Sequence, residues 1–230
     1  MQQYERYAIY YAPRDGDFAR AMAGWLGWDP RAGQAAPPPP DLPHLPALLA
    51  DLTRTPRRYG FHGTLKAPFR LAPGLTRADI EAAITHLAAR CAPPVLPGLA
   101  LRCIDGFLAL CPEGDDTTLN DLAAEVVTRL DPLRAPLTDR EIARRHPETL
   151  SPRQRDLLAT WGYPHVMEDF RFHLTLTDRL SPEMAAGVAA ALGPWLAPLL
   201  PRPFVIEDLC LFAEDGAQRF HLLSRHALTG

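Results

Sequence analysis

The pattern His-x-Thr-Leu occurs twice in this 230-residue chain, as His62-Gly63-Thr64-Leu65 and as His173-Leu174-Thr175-Leu176. Chance supplies about 0.07 such matches in a chain of this composition, so the pair needs a cause. Both copies lie in segments that read as β-strands, where side chains alternate between faces and residues i and i+2 point the same way, roughly 6.5 Å apart. In the stretch from Phe170 to Thr177, Phe172, Leu174 and Leu176 form an apolar face, while Arg171, His173, Thr175 and Thr177 form a polar one. Phe61 to Lys66 splits likewise, with His62, Thr64 and Lys66 together. Each strand is expected to bury Leu and Phe on one side and to present an imidazole, a hydroxyl and a cation on the other.

Those residue types suit transfer at a phosphodiester, where one group takes a proton from the attacking oxygen and another gives one to the leaving oxygen. Two imidazoles do both, since the ordinary histidine pKa of about 6.5 lets one be neutral and the other charged. Thr64 and Thr175 are placed to donate hydrogen bonds to the non-bridging oxygens, and Lys66 and Arg171 to offset negative charge. This chemistry demands no metal and no cofactor. A zinc or iron site would need ligands beyond His62 and His173, and Lys66 and Arg171 would repel the cation.

The remaining composition narrows the classes. A hydrophobic content of 47% is enough for a core. The net charge of -3 and pI near 6.2 give no general attraction to long nucleic acid or to an anionic membrane. Cys91, Cys103, Cys111 and Cys210 show no C-x-x-C spacing and are read as reduced core residues. Glu5, Arg6, Arg14, Asp15 and Asp17 interrupt the apolar run that a secretory signal requires, so cytoplasm is the expected location. The most apolar window, Gly187 to Leu200, contains Pro194 and Pro198 and is too short to span a bilayer.

The chain is read as one domain over residues 1–230. Tyr4 to Ala12 reads as a strand and Asp17 to Leu26 as an amphipathic helix, followed by a proline-rich surface loop at about 33–46 that would partly cover the site. Thr76 starts a helix to about Cys91, Leu99 to Cys103 and Gly106 to Cys111 form a strand pair, and Thr118 to Leu130 is a helix. Further helices start at Thr138, Ser151 and Ser181, the motif strand runs from Phe170 to Leu180, and strands lie near Phe204 to Phe212 and Arg219 to Ser224. The recurring β-α-β-β order indicates an internally duplicated α+β domain whose lobes face each other across a cleft.

The longer stretches Arg58 to Phe69, Trp161-Gly162-Tyr163-Pro164 and Phe170-Arg171-Phe172-His173, with the two motifs, resemble the two-histidine phosphoesterase superfamily. That group includes the 2'-5' RNA ligase-like proteins and cyclic phosphodiesterases, and the similarity is to its bacterial branch assigned to phosphonate metabolism. It runs from Arg6 nearly to the end. The resemblance implies a duplicated bilobal α+β fold, with two antiparallel sheets flanking a central cleft and helices outside. It also implies metal-free action on a small phosphodiester, with a ribose cyclic phosphate favoured over a cyclic nucleotide or an RNA end. Gly63 stands where this branch is expected to carry Ala, faces the core and is expected to matter little, and His165 replaces an expected Tyr at the pocket rim.

Secondary candidates are Tyr59 and Tyr163, ahead of the motif histidines and able to stack on a base or sugar. Arg134, Arg144 and Arg145 are candidates for a second phosphate, with Arg144 read as part of a solvated helix face. Tyr10 is a candidate to reach the site from the first strand, with a core aromatic the favoured reading on composition. His86 and His221 receive no chemistry, and His44, His146 and His226 are expected to be exposed. The rival to an enzyme is a non-catalytic phosphate or nucleotide sensor using the same cleft. The oligomeric state is left open.

Overall fold

A computed structural model describes residues 4–42 and 46–230. The chain opens with strand β1 (Arg6–Tyr11) and helix α1 (Asp17–Leu26), which ends on Gly27 in the left-handed conformation. Helix α2 (Pro46–Leu52), strand β2 (Gly63–Phe69) and helix α3 (Arg77–Ala88) follow. Then come β3 (Val95–Leu96), β4 (Leu99–Ile104), β5 (Phe107–Pro112) and α4 (Thr117–Arg129). Two connecting helices, α5 (Asp139–Ala143) and α6 (Pro152–Trp161), lead to β6 (Leu174–Thr175). The chain closes with α7 (Pro182–Leu196), β7 (Phe204–Val205), β8 (Asp208–Glu214) and β9 (Phe220–Ala227).

Local chemistry sets most of these boundaries. Thr76, Thr138 and Ser151 each accept a hydrogen bond from the backbone N–H three residues on, and the side chain at that third position accepts one from the cap residue's own N–H, closing a capping box on α3, α5 and α6. Ser181 caps α7, with Pro182 at the first helical position. Helix α2 has no sequence signal of this kind and falls where only the end of a loop is read.

The fold is α+β and antiparallel. Seven strands run in the order β4-β5-β6-β2-β1-β8-β9, and β3 pairs with β7 apart from them. The lobes are not the two halves of the sequence. The late strands β8 and β9 extend the sheet of β1 and β2, while the late strand β6 joins the early hairpin of β4 and β5. Strands β2 and β6 connect the two groups through one residue pair, Gly63 opposite Leu174. Helix α3 lies against β8 and β9, α4 against β2, and α7 against β4 and β5. Trp25 of α1 donates its indole N–H to the Leu176 carbonyl at 2.8 Å, buried, and so ties the first lobe to the second motif.

The second motif forms a shorter strand than its Phe170 to Leu180 pattern predicts. The Leu108 carbonyl accepts from both Leu176 N and Thr177 N, and the Thr177 hydroxyl takes the Leu108 N–H at 2.9 Å. A side chain therefore replaces a ladder bond, and the regular pairing stops after Thr175. Thr177, counted with the polar face, is buried by this bond.

The proline segment also departs from expectation. Pro37 and Pro39 press on Gly24 of α1, where a Cβ would lie 2.7 Å from the Pro37 carbonyl, and the segment flanks Trp195 and Leu199. None of its described residues lines the cleft. Residues 43–45, including His44, lie outside the described residues. Of the cysteines, Cys111 and Cys210 are buried, Cys91 is half-buried, and Cys103 is exposed rather than in the core, because its strand β4 is the edge of the sheet. Among the described residues no helix is long and apolar enough to cross a membrane.

Candidate functional site

The single pair that joins the lobes also organises the motifs. In an antiparallel ladder with Gly63 opposite Leu174, one step along each strand sets His62 beside Thr175 and Thr64 beside His173. All four side chains share the face opposite to Leu174, with the two histidines on a diagonal, where Cα atoms lie roughly 7–8 Å apart. Two chambers meet over this quartet. One, of about 330 Å³, is lined by Arg6, Tyr10, Tyr59, His62, Thr175 and Arg145 among others. The other, of about 590 Å³, takes in His165, Arg171 and His173, and Thr64, Phe107, Tyr163 and Arg179 border both.

Each imidazole is held by the same local device. Nδ1 of His62 lies 2.8 Å from the Gly60 carbonyl, and Nδ1 of His173 lies 2.8 Å from the Arg171 carbonyl. A carbonyl only accepts, so Nδ1 carries the proton in both rings and Nε2 is left for chemistry. The surroundings then differ. His62 is half-buried against Tyr10, with ring centroids 4.0 Å apart, and near Tyr59 at 5.6 Å. Burial among these rings lowers its pKa from 6.5 to about 4; the Gly60 hydrogen bond opposes the shift, and the nearby His173 adds to it. His173 has one ring contact of this kind, Phe107 at 5.5 Å.

Tyr10 is buried beneath His62 and still borders the chamber, so it belongs to both core and site. Burial pushes its hydroxyl well above the usual range, and the ring serves as a neutral floor. Tyr59 stacks on Phe220 at 4.8 Å and Tyr163 spans the two chambers. Gly162 places Tyr163: it ends α6 at φ 75, a conformation that suits glycine, and a Cβ there would press on Arg134 at 3.1 Å. Arg171 is exposed on the rim beside His173. His165 also lines that rim, edge-on to Tyr163.

Two of the predicted contacts are corrected. Lys66 is buried, and its ammonium donates to the Val127 carbonyl at 3.1 Å and to Asp131 at 3.2 Å. The cause is a bulge. Tyr10 pairs with Thr64 but Ile9 pairs with Lys66, so β2 carries an extra residue between them and Lys66 rotates to the other face. Arg134 is likewise engaged, with its guanidinium on both oxygens of Asp131, at 2.9 and 3.2 Å, and on the Thr160 carbonyl. It lines neither chamber. Lys66→Met is therefore expected to cost about 1–3 kcal/mol of stability, read by denaturant melts, because it orphans the Val127 carbonyl and strips Asp131 of one donor. Turnover per folded molecule should stay near the wild-type value; a large rise in KM at unchanged stability would return Lys66 to the substrate.

The reading of Gly63 is corrected as well. A Cβ at this position would fall 2.2 Å from the Phe172 ring, so the close contact of the two motif strands requires glycine here. Arg179 escaped sequence reading, although it continues the alternation of His173, Thr175 and Thr177 by one more step. Among the other histidines, His221 bonds to Asp215 at 2.7 Å, His86 and His146 are exposed, and His226 is half-buried in β9 against Thr85 and Ser224 rather than exposed. Among the described residues no three His, Cys, Asp or Glu side chains gather with metal-ligand spacing.

The model of the family described as "Protein of unknown function (DUF1045)" matches residues 64–221, more than two thirds of the chain. The chain belongs to this family. Two curated relatives are both named ribose 1,5-bisphosphate phosphokinase PhnN. The protein of Janthinobacterium sp. (strain Marseille) is 42% identical over 180 residues, 76% of this chain and 39% of its own length. That of Laribacter hongkongensis (strain HLHK9) is 36% identical over 214 residues, 92% of this chain and 49% of its own. The chain thus spans less than half the length of these relatives. Similar solved structures include a phosphoesterase, 16% identical with a TM-score of 0.44, and E. coli LigT complexed with 3'-AMP, 18% identical with a TM-score of 0.42. Each match covers 99% of this chain and 100% of the other, at TM-scores below the level from which a shared fold is inferred.

Proposed function

We propose that this chain is a phosphoesterase that opens a small cyclic phosphodiester by two-histidine general acid and base catalysis. The observation that carries the reading is the Gly63–Leu174 pair, which brings both imidazoles and both motif hydroxyls onto one face of the cleft. His62, neutral down to about pH 4, takes a proton from water as the water oxygen bonds to phosphorus. The bond from phosphorus to one ring oxygen breaks, and His173, entering the step as imidazolium, gives that oxygen a proton. Thr64 and Thr175 donate to the non-bridging oxygens, and the Arg171 guanidinium offsets charge at the rim. Both proton transfers are supplied by the chain itself, so the step is independent of metal.

A ribose cyclic phosphate is the favoured substrate. Opening a 1,2-cyclic phosphate at the phosphorus–O2 bond leaves a ribose 1-phosphate ester, the class of compound named for the two relatives. The phosphokinase in their names is not proposed for this chain. Its one lysine, Lys66, lies between Leu65 and Ala67, which excludes the Gly-Lys-Ser/Thr end of a P-loop.

The test is hydrolysis of ribose and nucleoside cyclic phosphates with EDTA present. Ring opening that persists in EDTA supports the reading; tight binding of an intact ligand without turnover replaces it with a sensor. The pH profile gives a second check. A base with a pKa of about 4 is deprotonated at every higher pH, so the acidic limb of kcat/KM should fall near pH 4 rather than near 6.5. Stability has the related sign: between pH 6.5 and 4 the unfolded chain binds a proton at His62 that the folded site refuses, so acid should lower stability across that window. An acidic limb at 6.5 that His62→Ala leaves in place would assign the base elsewhere.

A further inference from the structure

Arginines are abundant here, and those in and around the cleft differ in whether they are already held. Arg6 borders the His62 chamber with its guanidinium on Glu214, at 2.5 and 2.8 Å. Arg134 is held by Asp131. Arg145 and Arg179 differ, since among the described residues neither has a carboxylate within 4.0 Å or a side-chain hydrogen bond within the protein.

Arg145 follows α5 on a turn and is half-buried, with its guanidinium carbon 4.8 Å from the centre of the Tyr163 ring. A guanidinium stacked on a ring satisfies its face and leaves its N–H edge free, the geometry that grips a phosphate in a bidentate way. Arg179 and Tyr163 both stand where the two chambers meet. The His62 chamber thus gathers two unneutralised cations against one carboxylate, Asp178, which already accepts the Thr55 N–H at 3.1 Å. In the other chamber Arg171 and Arg179 face Asp105, Glu168 and Asp169. Anion binding therefore belongs on the His62 side. The scissile phosphate is served by the histidine and threonine quartet, which leaves these two arginines for another group.

We propose that Arg145 and Arg179 form a second anion subsite, which holds a terminal phosphomonoester of the substrate while its cyclic phosphodiester sits on His62 and His173. The inference rests on the phosphoesterase reading for the second half of that statement only. The substrate class becomes a small cyclic phosphodiester that carries a separate phosphate, and a chamber of about 330 Å³ is of the size that takes a sugar phosphate.

The probes are ribose 1,2-cyclic phosphate with and without a 5-phosphate, and the two ring-opened products, which differ by the same group. Wild type should prefer the 5-phosphorylated diester by about 10- to 100-fold in kcat/KM, and an Arg145→Gln/Arg179→Gln variant should bring that ratio close to one. Thermal melting of the variant checks that it folds. Turnover without preference, or a variant that loses equally on both diesters, overturns the subsite and leaves the phosphoesterase reading intact. Absence of turnover, with calorimetric binding that favours the doubly phosphorylated product only in wild type, keeps the subsite and removes the diesterase. Equal binding of both products in the absence of turnover removes both.

Discussion

Alanine at either motif histidine should lower kcat/KM on a proven cyclic phosphodiester by about 10²- to 10⁴-fold, the usual contribution of a positioned acid or base. The two rings act in one displacement, so the double variant should lose much less than the product of the single losses. Folding should survive, because among the described residues neither ring has a hydrogen bond beyond the carbonyl two residues earlier. The two variants should differ in pH dependence. Removing His62 deletes the group that is neutral above about pH 4 and with it the acidic limb, whereas removing His173 should leave that limb in place. Asparagine at the same positions tests geometry against chemistry, since it keeps a donor toward Gly60 or Arg171 but transfers no proton at neutral pH. Full activity in both alanine variants would end the two-histidine assignment.

Gly63→Ala should be nearly as damaging, through packing. The added methyl falls 2.2 Å from Phe172 Cζ and 2.5 Å from Cε2, contacts that real Cβ atoms do not make. Phe172 cannot easily yield, being buried against Tyr11 and Phe204 at centroid distances of 6.2 and 6.1 Å. The strands must separate instead, at the one pair that joins the two groups of strands. A loss of about 3 kcal/mol, at the upper end for overpacking, is expected in urea melts. Activity should drop further than the unfolded fraction explains, because the separation moves His62 away from Thr175 and His173 away from Thr64. Phe172→Leu placed in the Gly63→Ala background opens room for the methyl and should recover part of both losses. If Gly63→Ala melts like wild type with full turnover, the close approach of the motif strands is not as described.

The comparison between sequence and structure is sharpest along β2. His62 and Thr64 sit on the cleft face that alternation predicts, and Lys66, two residues further, does not. Alternation is a property of regular pairing, and the bulge opposite Ile9 breaks it in a way visible only once β1 is in place. Along the second motif the same rule was stopped too early: Arg179 continues the series of His173 and Thr175 even though the ladder has ended, and so reaches both chambers. The arginines between the halves show a third case. Arg134, Arg144 and Arg145 have the same chemistry in the sequence, but only Arg145 reaches the cleft, because Asp131 and Thr160 hold Arg134, and Arg144 is left exposed.

Short-range physics was therefore legible from the amino acids alone. The period-two faces named both imidazoles and both hydroxyls, and the Thr and Ser caps at 76, 138, 151 and 181 marked four helix starts. These depend on neighbours within four residues, which any sequence displays. Only the tertiary structure decided that late strands complete the early lobe, that Lys66 anchors Asp131, that Gly63 must lack a side chain, and that Arg145 and Arg179 stay free of carboxylates. The first three are contacts between segments tens to more than a hundred residues apart, and the last is what those contacts leave over: which backbone groups find partners and which side chains are left without one.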